Sequence, residues 1–119
     1  MSHYSDSLHH VTLYTTEQKP LLEGNLRRMV EQCFKSLPGR YPGLKLVCHW
    51  VYPNRVEMLL DLHRLDEDLL RIIQSFKSEV KGLAKKDGHS LHTLWQWSYE
   101  EREIHTQEEF KKLTEGGKV

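Results

Sequence analysis

The 119-residue chain is short of several things, and each shortage removes a class of protein. It has two cysteines, Cys33 and Cys48, too few for a disulfide framework or a cysteine-built zinc site. Each sits between apolar neighbours and reads as a buried thiol, which suits a reducing, cytoplasmic compartment. No apolar run approaches the roughly 18–20 residues that a membrane span needs. The opening Met1-Ser2-His3-Tyr4-Ser5-Asp6 lacks the basic-then-apolar order of a signal peptide, so none is expected. Charge of one sign is also missing. Seventeen basic and seventeen acidic residues cancel, which argues against a strongly electrostatic nucleic-acid binder while leaving room for a local basic patch. The eight histidines are scattered, and no pair has the i, i+4 helical spacing of a metal site.

What is present is enough for one modest core in a single domain over residues 1–119, with 1–7 and 114–119 expected to be flexible. Residues 8–16 are β-branched and aromatic-rich and predict a strand. Leu22, Leu26, Met29, Val30, Cys33, Phe34 and Leu37 recur at helical spacing until Pro38-Gly39. Residues 44–51 and 55–62 flank Tyr52-Pro53-Asn54 and predict a β-hairpin. Asp66 can cap a second helix whose apolar face is Leu69, Leu70, Ile73, Phe76, Val80, Leu83 and Ala84. Residues 93–99 predict a fourth strand that can run on to Ile104. Thr106 caps a short last helix, with Glu109 as its capping-box partner. The order β-α-β-β-α-β predicts an α+β, ferredoxin-like sandwich, with one four-stranded antiparallel sheet carrying two helices on one face. The other face is then expected to lie open, as a platform for nucleic acid.

Period two sorts the third strand. Val56, Met58, Leu60 and Leu62 face the helices, whereas Arg55, Glu57, Leu59 and Asp61 face the open side, where Arg55 and Glu57 stand next to each other. A surface ion pair is the plain reading of that neighbourhood. Trp95, Trp97 and Tyr99 share one face of the fourth strand, either stacking on bases or packing on a helix or dimer interface. Lys77, Lys81, Lys85 and Lys86 line the second helix as a solvated face or a phosphate contact. His10 is expected to be a hydrogen-bonded histidine rather than a ligand.

Several segments, taken in order, resemble the REP-associated and insertion-sequence single-tyrosine transposases of the HUH nuclease superfamily. They are His10-Val11-Thr12-Leu13-Tyr14-Thr15, Lys19-Pro20-Leu21-Leu22, the run from Val51 to Leu60, Phe76-Lys77-Ser78, Leu94-Trp95-Gln96 with Tyr99, Glu103-Ile104, and Glu108-Glu109-Phe110. The resemblance spans about residues 8–110. It implies single-strand DNA nicking and joining, in which two signature histidines hold Mg²⁺ or Mn²⁺ and a tyrosine on a C-terminal helix attacks the phosphorus. The histidine positions are Arg55 and Glu57 in this sequence, and none of Tyr4, Tyr14, Tyr41, Tyr52 and Tyr99 falls at the nucleophile position.

Arginine has no electron pair for a metal, and a lone carboxylate makes a poor Mg²⁺ site. No catalytic residue, no metal ligand and no cofactor is therefore expected. The expectation is a transposase-like protein without cleavage activity. It would bind single-stranded or hairpin DNA through His10, Arg55, Lys77, Trp95, Gln96 and Tyr99, and would form a homodimer. One alternative is a structural or dimerisation module that binds no nucleic acid. Another is an active nuclease that holds metal through Glu57, Asp61 or His10.

Overall fold

A computed structural model describes residues 8–41, 43–62, 69–88, 94–96, 98–104 and 107–115. The elements are β1 (Leu8–Tyr14), α1 (Gly24–Arg40), β2 (Lys45–Tyr52), β3 (Arg55–Asp61), α2 (Leu69–Lys86), β4 (Glu100–Glu103) and α3 (Gln107–Glu115). One antiparallel sheet runs in the order β2-β3-β1-β4, as a ferredoxin-like sandwich requires. Among the described residues no helix is long and apolar enough to cross a membrane. Asp66, Thr106 and Trp97 lie outside the described residues, as do Thr93 and the segments 1–7 and 116–119.

The core forms where the two periodicities meet. Val11 and Leu13 of β1 and Val56, Met58 and Leu60 of β3 are fully buried. They pack against Leu26, Val30, Phe34 and Leu37 of α1 and Ile72, Ile73, Phe76, Val80 and Ala84 of α2. Phe34 and Phe76 meet at 4.6 Å between ring centroids. A polar clamp closes the helix pair at one end: Ser36 Oγ and Arg40 Nη1 both donate to the Glu79 carboxylate, at 3.2 and 2.6 Å to Oε1. Burial among these groups, with Glu79 beside it, pushes the Cys33 thiol up to about 12.

Four details differ from the sequence expectation. Helix α1 runs through Pro38 to Arg40, because a proline in the last turn forfeits a single helical hydrogen bond at an end that is already fraying. Leu70 is 49% exposed and Ile72 is buried in its stead, on the opposite border of an apolar stripe that keeps Ile73, Phe76, Val80 and Ala84. The fourth strand is Glu100–Glu103 rather than 93–99; from the earlier run only Trp95 pairs, in an isolated bridge to Thr15. Residues 100–103 become a strand by pairing with Val11 and its neighbours on β1, and all four side chains are exposed.

The fourth difference bears on function. The face away from α1 and α2 is not wholly open. Leu8 and Leu59 point to it and are fully buried, in a small second cluster with Ile104, onto which Phe110 of α3 packs. Helix α3 thus covers one end of this face, and among the described residues no helix packs over the hairpin end.

Candidate functional site

The end away from α3 is organised by the β2–β3 hairpin. Tyr52 pairs with Arg55 across the two-residue turn Pro53-Asn54, and Trp50 pairs with Glu57. On the other side β1 places Tyr14 opposite Arg55 and Thr12 opposite Glu57. Side chains two apart on a strand share a face, so the register gathers His10, Thr12, Tyr14, Trp50, Tyr52, Arg55 and Glu57 on one surface.

Glu57 is the centre of this surface and is only 3% exposed. Its Oε2 accepts from Arg55 Nε at 2.9 Å, and its Oε1 lies 3.0 Å from His10 Nε2. Arg55 is held at two further points. Its Nη1 donates to Asn54 Oδ1 at 3.2 Å, and its Cζ sits 4.0 Å over the Tyr52 ring. The His10 ring meets Trp50 edge-on, 6.2 Å between centroids. This fixes a cation, a carboxylate and an imidazole in one hydrogen-bonded line, bordered by Tyr14, Trp50 and Tyr52, which are all half-buried.

The metal implied by the resemblance does not fit these residues. A guanidinium offers no lone pair, and Arg55 places its positive charge 2.9 Å from the Glu57 carboxylate. The two oxygens of that carboxylate already face Arg55 and His10. Asp61 lies further along β3 beyond Leu59, at the Leu8 end of the strand. Among the described residues the one group of imidazole and carboxylates close enough for a cation is His9, Glu101 and Glu103, on the β1–β4 side. His9 there already bonds Glu101, and both carboxylates belong to an exposed edge strand.

The other residues singled out from the sequence fall elsewhere. Lys77, Trp95 and Gln96 meet where α2 passes the 94–96 segment: Lys77 Nζ donates to the Gln96 carbonyl at 2.9 Å, and Phe76 tilts against Trp95 at 6.2 Å. Burial lowers the Lys77 ammonium below the ordinary lysine range. Tyr99 is half-buried and packs against the main core. The six residues thus fall into the pair His10 and Arg55, the trio Lys77, Trp95 and Gln96, and Tyr99 by itself. Sequence reasoning missed Trp50, Tyr52 and Tyr14. The signal was available: pairing across Pro53-Asn54 necessarily sets Trp50 beside Glu57 and Tyr52 beside Arg55.

No family model and no curated protein matches this sequence. Solved structures do. One is a REP-associated tyrosine transposase bound to a REP hairpin, 16% identical, with a TM-score of 0.72 over 100% of this chain and 76% of the other. Another is a candidate transposase from Deinococcus radiodurans R1, 15% identical, with a TM-score of 0.71 over 93% of this chain and 88% of the other. At such identities the likeness is one of architecture, and the chain has the transposase-like fold of these proteins.

Proposed function

We infer that this is a transposase-like protein that binds single-stranded or hairpin DNA and does not cut it. The observation that carries the reading is the arrangement of Glu57 between His10 and Arg55, which neutralises the position from within. A strand lying over this surface would meet a guanidinium whose Nη2 has no partner among the described residues, bordered by three half-buried aromatics. Arginine can contact a phosphate with charge and directed donors, and aromatic rings can stack on unpaired bases whatever their sequence. The REP hairpin held by the first relative supports a hairpin as the ligand to test first.

In this reading His10 and Arg55 contact DNA on the sheet face, and Lys77, Trp95 and Gln96 contribute from the helix side. A homodimer belongs to the same reading, since β2 is an eight-residue edge strand that a second copy can extend. The two thiols, unpaired in the structure, suit a reducing compartment.

The test is binding of hairpin and single-stranded oligonucleotides at two salt concentrations, with a nicking assay in Mg²⁺ and Mn²⁺ run alongside. Salt-sensitive binding with no cleavage and no covalent tyrosyl adduct is expected. A trapped adduct would overturn the inactivity. An absence of binding at low salt would leave only the fold and the dimer, which light scattering measures.

A further inference from the structure

The groove between α2 and the 94–96 segment does not belong to the sheet-face site. It is a depression of about 480 Å³ whose polar lining comes from Gln74, Lys77, Ser78, Lys81, Trp95 and Gln96. Among the described residues its lining contains two lysines and no acid, in a chain whose charges otherwise cancel. Lys77 and Lys81 are four residues apart on α2 and so lie on one face of the helix.

Two of these groups are poorly satisfied. The half-buried Lys77 ammonium is held by a neutral carbonyl, and no carboxylate pairs with it among the described residues. Trp95 lines the same groove, and its buried Nε1–H has no hydrogen-bond acceptor among the described residues. A partly desolvated cation without an anion is costly, and an anionic ligand in the groove relieves that cost. The lowered proton affinity of Lys77 comes from burial alone, as expected for an ammonium with no counter-ion nearby.

We propose that this groove is a phosphate subsite for nucleic acid, in which Lys77 and Lys81 hold a backbone phosphodiester beside the Trp95 indole. The proposal rests on the DNA-binding reading above and specifies how its helix-side contact holds the backbone. The two points are linked through the chain, because Gln96 N donates to the carbonyl of Tyr14, which pairs with Arg55. A strand that engages both points would pass the Tyr14 end of β1.

The test uses the full chain labelled with ¹⁵N, a hairpin oligonucleotide with an unpaired tail, and inorganic phosphate as a separate probe. The Trp95 indole resonance, identified with Trp95→Phe, is followed in each titration. Binding of the oligonucleotide to wild type, Lys77→Met and Lys81→Ala is measured by anisotropy at several salt concentrations. The expected result is an indole shift with the oligonucleotide and about tenfold weaker binding by Lys77→Met. The slope of log K against log salt should flatten by roughly 0.7–0.9 per lysine removed. Lys81 is exposed, so Lys81→Ala tests the groove even if Lys77→Met loosens the 94–96 segment. Wild-type binding with both variants unchanged in affinity and slope overturns the groove and leaves the DNA-binding reading standing. An indole shift with inorganic phosphate but none with DNA overturns the nucleic-acid source of the anion. Wild-type protein that binds no oligonucleotide at low salt overturns both readings.

Discussion

The two faces of the sheet obey different rules. On the helix side Val11, Leu13, Val56, Met58 and Leu60 are uniformly apolar and fully buried, and their partners are chosen by shape and volume. On the opposite side one strand alternates Arg55, Glu57 and Leu59, so a salt-bridged carboxylate lies directly beside a small apolar cluster. A change on the first face is felt as a lost volume. A change at the Arg55 end of the second is felt as a lost partner. The helix side is therefore a stability device, and the hairpin end of the other side is where chemistry can vary.

That contrast can be broken most forcefully from the helix side. Phe76→Ala is expected to cost about 3–5 kcal/mol in denaturant unfolding, since the ring is fully buried against Phe34 and Trp95. Leu59→Ala asks whether α3 truly seals its end of the second face. A loss of about 2–4 kcal/mol is expected if Leu59 is packed under Phe110, and a near-neutral result would reassign that end as open.

Arg55→Ala should cost less, about 1–3 kcal/mol, because it removes the charged donor from Oε2 of the buried Glu57. Combining Arg55→Met with Glu57→Leu should recover most of that loss. If the double variant is no better than the single, Arg55 contributes through its packing on Tyr52 instead. The remaining effect is titratable and confined to alkaline pH. The Cys33 thiol moves from an ordinary 9.0 to about 12 in the folded chain, so the unfolded state loses its proton first. Its contribution is fully present below pH 9.0 and fades as pH rises toward about 12. The decline approaches about 1.4 kcal/mol per pH unit, and a Cys33→Ala variant should lack that share of it.

Much of this was legible in the sequence, because period two and period 3.6 are local rules. They placed Val56, Met58 and Leu60 inward, set Arg55 beside Glu57, and ordered the four strands and main helices. What escaped was decided by contacts distant in the chain. Leu59 reads as solvent-facing until Phe110, about fifty residues later, lands on it. Glu100–Glu103 has a poor strand composition and is a strand because β1 has a free edge for it. The aromatic run at 94–99 has the better composition, and its described part contributes one bridge. The tryptophan and tyrosine flanking Arg55 were hidden for another reason: their place depends on strand register across the turn, not on spacing within β2.

The corner made by Pro53 and Asn54 has a consequence for how such a protein can change over time. One inserted amino acid there would swap the inventories of the sheet's two sides, turning Val56, Met58 and Leu60 toward water and driving Glu57 into the apolar interior. Length at this corner is therefore under tight constraint. Identity at positions 55 and 57 is constrained as a pair, because a matched exchange of both can leave the packing beneath them in place. A lineage built on this scaffold can drift in chemistry while its frame stands still.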